Sequence, residues 1–301
     1  MIKLYPKAND SAKHGQSNYL MQKKLEKDER IKVLENKILV EKFNSTDLSE
    51  LFYLISSYKD YEKMLYIASE LEKIYPASSI SANTFGMVHY YKSNYEEAIK
   101  FFQTAIKRNE FYLDAHNNLA CTYGQLEDYS TAVKILEDRT DEVGVLNLVT
   151  AYLSLGCFDK AELKLSKFLK ENTSSADAFF IMGKIALENP ESGNSALVYF
   201  NKAQDLQGVS IEILSQKFMY YTLKFQFDKA IKESKSLLKL DPDNILANLF
   251  LGAIHGYYNH LKQAEYHLNK VLGQNDVPYY LEPLIEESRN FIKAINEIKG
   301  A

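Results

Sequence analysis

One spacing constrains this chain more than any other feature. A position occupied by alanine in six cases of seven recurs at Met64, Ala98, Ala132, Ala161, Ala196, Ala230 and Ala264, in steps of 34, 34, 29, 35, 34 and 34 residues. Apolar residues follow it at helical intervals. Ala98, Phe102 and Ala105, for example, fall at i, i+4 and i+7, the period of a buried helical stripe. A second apolar segment precedes each one, with glycine at Gly86, Gly183 and Gly252 where two helices must approach closely. Each unit therefore reads as helix–turn–helix. Unrelated amphipathic helices would not hold a common register, so the sequence predicts an all-α stack of similar helix pairs.

The units run 45–78, 79–112, 113–141, 142–175, 176–210, 211–244 and 245–278. In the first, bulky Phe52 and Met64 take the close-approach positions, which predicts a wider helix separation. The short step removes about five residues near Asp138–Gly144. It predicts a truncated second helix in the third unit, with Asp141 as N-cap of the next. The extra residue of the fifth unit falls in the turn-forming run ENPESGNS. Residues 1–16 lack apolar periodicity and read as a flexible arm. Residues 17–44 read as an N-terminal helix whose Ile31, Leu34 and Ile38 face the first unit. Residues 279–301 read as an amphipathic capping helix, which a solenoid needs to cover its last apolar face.

Composition narrows the classes of function. Only 12 Gly and 6 Pro in 301 residues disfavour an all-β fold. Net charge is −4, with no global case for nucleic acid. Residues 1–42 carry ten Lys/Arg against six Asp/Glu, a net of +4 that leaves −8 elsewhere. Acids are interspersed there, so a solvated helix laced with i,i+4 pairs fits better than a basic nucleic-acid arm. Two cysteines make no disulfide framework and suit a reducing compartment. Residues 1–30 hold no apolar run like a signal-peptide core, and no window approaches a membrane span. A cytoplasmic protein without membrane insertion is the expectation, although an exported chain with its signal removed would look the same.

The register, small residues and aromatics of residues 45–278 resemble the tetratricopeptide repeat (TPR) family. The resemblance implies a right-handed superhelix of helix hairpins. It further implies a non-enzymatic scaffold or adaptor that binds a peptide or protein along a concave groove lined by each first helix. The family pattern places Tyr53 of the first repeat in that groove, then Asn83, Met87, Tyr90 and Tyr91 of the second. From the third come Asn117, Asn118, Cys121 and Gln125, from the fourth Asn147 and Thr150, and from the fifth and sixth Lys184 and Gln216. Asn and Gln both donate and accept hydrogen bonds, so an exposed row of them can hold an extended peptide backbone. On this reading Asn118 and Asn147 are surface residues whose loss barely alters stability. Repeats five to seven, with Phe180, Leu249, Phe250 and Tyr257, look more apolar. Family members that clamp chaperone C-terminal tails use paired basic residues. Asn83, Met87, Val143 and Asn147 stand at those positions here, so that clamp is not expected. Alternative readings are a structural subunit of a larger, self-associating assembly, or a chaperone for an exported or assembling partner.

No phosphate-binding glycine motif, HExxH, CxxC or EF-hand pattern occurs, so neither enzyme activity nor a cofactor is expected. His89 and His255 share one repeat position and read as packing residues. His260 and His267, seven apart, are a weak metal signal without a third ligand. Cys121 has no basic neighbour in sequence to lower its pKa and reads as a small apolar surface residue.

Overall fold

Asn, Asp and Ser at helix starts, with apolar stripes behind them, set the local structure. In the computed structural model, which describes residues 18–39, 44–188, 196–274 and 281–300, these segments form sixteen helices. They are α1 (Asn18–Leu39), α2 (Ser45–Ser56), α3 (Tyr61–Ile74), α4 (Ser79–Tyr91), α5 (Tyr95–Arg108), α6 (Leu113–Gln125), α7 (Tyr129–Leu136) and α8 (Glu142–Ser154). There follow α9 (Phe158–Glu171), α10 (Ala176–Glu188), α11 (Ala196–Gln207), α12 (Ile211–Leu223), α13 (Phe227–Leu240), α14 (Ile245–Tyr257), α15 (Leu261–Leu272) and α16 (Glu282–Gly300). The described residues contain no strand and no helix long and apolar enough to cross a membrane. The arm expected at 1–16, the turn after Glu188 through residue 195, and Pro278 lie outside the described residues.

Side-chain caps start many of the helices. Asn44, Asp60, Ser78, Asp128, Asp141, Ser210 and Asn244 each accept a hydrogen bond from the backbone N–H three residues on. Each cap satisfies a donor that the first helical turn otherwise leaves free. The turn inside each of the six hairpins whose turn is described holds one residue with positive φ. Lys59, Ser93, Glu127, Gly156, Phe225 and Asn259 supply it, with φ of 57, 62, 61, 70, 54 and 59°. These residues recur in the same steps as the buried small residues. Only Gly156 takes this conformation without a Cβ penalty, and an added Cβ there would meet nothing within 4 Å. Gly156→Ala is thus a test of backbone alone. It is expected to lower the unfolding free energy by about 1 kcal/mol, read as a lower urea midpoint, and an unchanged midpoint would contradict the left-handed turn.

The chain divides into two compact units. The first comprises residues 21–173. Its hairpins α2/α3, α4/α5, α6/α7 and α8/α9 pack in order, each on the next. The core comes from both helices of each pair, with Phe102, Leu136, Leu148 and Leu165 inaccessible to solvent. Phe102 lies against Gly86, where an added Cβ would come within 2.5 Å of its ring. The short step shows as expected. Helix α7 has 8 residues against 14 in α5 and α9, and Asp141 caps α8. The step does not split the chain, because α6 to α9 stay within this unit and the division falls after Thr173.

Helix α1 buries Leu34, with Ile31 and Ile38 packed alongside, against the α2/α3 pair. Several of its described charges pair with the neighbouring helices. Arg30 grips Glu50 with both Nε and Nη2, at 2.7 and 2.6 Å. Glu35 pairs with Lys63 and Lys37 with Asp47. Carboxylates on α2 and a lysine on α3 face α1, so Arg30, Glu35 and Lys37 are paired across helices. Glu50 is held below its ordinary pKa by the Arg30 hydrogen bond.

The second unit comprises residues 174–301. Its pairs α10/α11, α12/α13 and α14/α15 repeat the same packing, and α16 packs on α15. Gly183 lies against Phe200 and Gly252 against Leu268, the counterparts of Gly86 and Phe102. Ile285 of α16 joins Leu249, Leu268 and Val271, so this helix covers the last apolar face.

Candidate binding face

In the first unit the leading helices of successive hairpins, α4, α6 and α8, touch one another as well as their own partners. Residues between them are drawn into a seam. Asn118 is fully buried, and its Nδ2 donates to Asn83 Oδ1 at 3.0 Å. Asn83 Nδ2 is 3.7 Å from Met87 Sδ. Asn147 Nδ2 donates to Cys121 Sγ at 3.5 Å, and Asn117 Nδ2 approaches Asp141 Oδ2 at 3.4 Å. Tyr112 lies beside Asn83, and burial together with Asp114 pushes its hydroxyl pKa up to about 12.

This arrangement corrects the surface assignment of Asn83, Met87, Asn117, Asn118, Cys121 and Asn147, all of which are buried. They point sideways, at the neighbouring leading helix, rather than outward. The carboxamides bond to one another and to sulfur across the seam. They stitch the stack together and are not presented to a ligand. Cys121 is accordingly an interior thiol.

Asp141 anchors the edge of the seam at the short step. It accepts from Gly144 N–H at 3.0 Å and from Arg139 Nε and Nη2 at 2.9 and 2.6 Å. Burial opposes its ionisation, but these donors outweigh burial and hold its carboxyl below the usual range. The side chain thereby closes the loop that the missing residues would have formed.

A second layer of the same helices does reach solvent. Tyr53 is 59% exposed. Tyr90 and Tyr91 are half-buried, their rings edge to face at 5.8 Å. Tyr90 lies beside Gln125 and Tyr91 beside Ser56, which brings α4 next to α6 and α2. The Tyr61 hydroxyl donates to the Tyr91 carbonyl at 3.0 Å. Burial raises the pKa of both tyrosines, so they stay neutral donors and acceptors at any physiological pH. Gln125 and Thr150 continue the face, each half-buried. Of the residues assigned to the binding face in this unit, Tyr53, Tyr90, Tyr91, Gln125 and Thr150 remain available.

The register of these hairpins is recognised independently of the structure. The tetratricopeptide-repeat family model matches residues 81–112 and 113–138. Residues 81–138 match tetratricopeptide repeats, and the helix-hairpin fold is of the same repeat type. A search of curated proteins found no significant match. Among solved structures, this chain superposes on a chain of the APC/C hetero-tetramer Cut9-Hcn1 with a TM-score of 0.64 at 13% identity. That match covers 86% of this chain and 52% of the other, so this chain spans about half the length of that relative. A tetratricopeptide repeat protein from Parabacteroides merdae gives 0.55 at 13% identity, covering 87% and 98%. PilW, a type IV pilus biogenesis factor, gives 0.55 at 18% identity, covering 66% and 94%. At these identities the likeness is one of fold.

In the second unit, Lys184 and Gln216 are half-buried. The apolar look of these repeats comes partly from core residues. Leu249 is buried, while Phe180 and Phe250 pack into the unit's aromatic cluster, Phe250 edge to face on Phe218 at 5.0 Å. Tyr257, 83% exposed, is a true surface ring. No sequence signal marks Lys217, buried between Gln204 at 3.1 Å and Glu233 at 3.5 Å. Among the described residues no group of three His, Cys, Asp or Glu side chains is placed to hold a metal.

Proposed function

We propose that this protein is a non-enzymatic adaptor that binds a peptide or protein segment on the leading-helix face of its first unit. One observation carries the reading. Tyr53, Tyr90, Tyr91 and Gln125 form a continuous face across α2, α4 and α6 that pairs half-desolvated rings with neutral hydrogen-bonding groups. Such a face gives apolar contact area at low entropic cost and fixes a backbone without needing charge. The buried asparagines support it from behind by holding the three helices in register. Two free cysteines suit a reducing, cytoplasmic setting.

The test compares wild type with Tyr53→Ala/Gln125→Ala in pull-downs from the native lysate, read by quantitative mass spectrometry. Both changes lie on the accessible layer, so folding is expected to persist. Loss of an interface anchor typically costs at least tenfold in affinity, at about 1.4 kcal/mol, and a specific partner is expected to fall by about that factor. If every partner persists at wild-type level, the face is not the binding site. Recovery of the chain itself as the main species would instead favour the self-associating subunit, a reading supported by exposed Tyr257 and Leu284 near the C-terminal cap.

A further inference from the structure

Three histidines meet in the last hairpin. His255 of α14 and His267 of α15 stack face to face, centroids 5.7 Å apart and planes within 6°. His260, at the N-cap of α15, lies 5.7 Å from His255. Asn248 spends its amide donors on the carbonyls of Pro242 and Asn244, so its Oδ1 is left to accept. His267 therefore holds a proton on Nδ1 and donates it to Asn248 Oδ1 at 2.9 Å. Its next proton would have to go on Nε2.

The same slot exists in the first unit with one difference. There His89 stacks on Phe101, centroids 5.2 Å apart and planes within 18°. Phe101 and His267 each stand three residues after the buried alanine of their helix, Ala98 and Ala264. The fold thus accepts an apolar ring at this point and does not require a second imidazole. In the last hairpin a titratable ring replaces it, and a third stands alongside.

The groups around the pair are cationic or neutral. Lys235 of α13 acts on both rings, and His260 acts on His255. Tyr258 of the turn faces His260, Tyr266 of α15 lies edge-on to His267, and Asn248 of α14 holds its Nδ1. Gly256, the residue after His255, receives the Phe291 ring of the capping helix α16. The histidine stack thus joins α14 to α15 one residue from a contact of the cap.

We propose that this stack is an acid-sensitive latch: neutral imidazoles close the last hairpin and its cap, and their protonation opens both. Two adjacent imidazolium ions repel, and the half-buried site disfavours each charge. Burial first, then the neighbouring cations, lower the pKa of both rings below the ordinary 6.5. A folded-state pKa below the unfolded value means stability that is complete above about pH 6.5 and is lost as pH falls through the folded values. Opening would uncover Leu249, Leu268 and Val271, now covered in part by Ile285 of α16.

The test is amide exchange by mass spectrometry on the full chain at about pH 7.5 and about pH 5.5, expressed as protection factors. Protection over α14–α16 is expected to fall roughly tenfold more than protection over α12–α13. His267→Phe copies the His89–Phe101 stack, and His255→Phe leaves the Asn248 bond intact. A general loss of stability in either variant is shared by both pH values, and in each the extra acid loss is expected to shrink below about threefold. A wild-type hairpin that keeps its protection at low pH, or variants that keep the full acid response, would overturn the latch.

Discussion

Replacing Phe102 by alanine is expected to remove about 3–5 kcal/mol of stability from the first unit, the largest loss of any single change considered. The ring is inaccessible to solvent and fills the space left by Gly86 on the paired helix. Truncation leaves a cavity between α4 and α5 that rigid helices cannot collapse into. Because each hairpin is stabilised by its neighbours, the loss should spread to α2/α3 and α6/α7 rather than melt one hairpin alone. Urea unfolding followed by circular dichroism measures the shift, and exchange mapping shows its spread. Gly86→Ala provides a cross-check. Its Cβ would sit 2.5 Å from the Phe102 ring, so the single change overpacks the joint. In the double variant that clash is gone, and the two losses should sum to less than their separate values. A loss under about 1 kcal/mol for Phe102→Ala would contradict the packing described.

The second large effect is expected from Asn118→Ala, at about 2–3 kcal/mol. The sequence reading assigns this residue to solvent and expects almost no change. In the structure Asn118 is buried and donates to Asn83 across two leading helices. Its removal leaves Asn83 Oδ1 without that donor inside the seam and opens a small void. Asn83→Ala should show strong coupling to it, so that the double variant loses less than the sum. Unchanged unfolding of Asn118→Ala would return the asparagine row to the surface and reopen its use in binding. A destabilised Asn118 variant also explains why partner capture is better tested at Tyr53 and Gln125. A fall in capture by a half-unfolded chain would say nothing about contact.

The all-α hairpin stack was legible in the chain because its cause is local and periodic. Alanine about every 34 residues, glycine opposite an aromatic or leucine, and a capping Asn, Asp or Ser before many of the helices act within one hairpin or between neighbours. The truncated α7 and the Asp141 cap were legible for the same reason, since a deletion in a periodic pattern has one place to go. Which polar residues face water was not legible. Asn118 and Gln125 lie seven residues apart on α6, two helical turns, and no rule of composition separates them. The lateral approach of α4, α6 and α8 buries Asn118 in the seam and leaves Gln125 half open. The His255–His267 stack had a trace in the sequence, the offset of three from Ala264 that Phe101 shares from Ala98, but the seven-residue spacing of His260 and His267 drew attention elsewhere. The sequence by itself determined the hairpins, their register and their caps, because these depend on contacts that recur with the repeat. The tertiary structure alone decided which side chains between repeats are sealed and which remain to bind, because burial there depends on how closely two helices from different repeats approach.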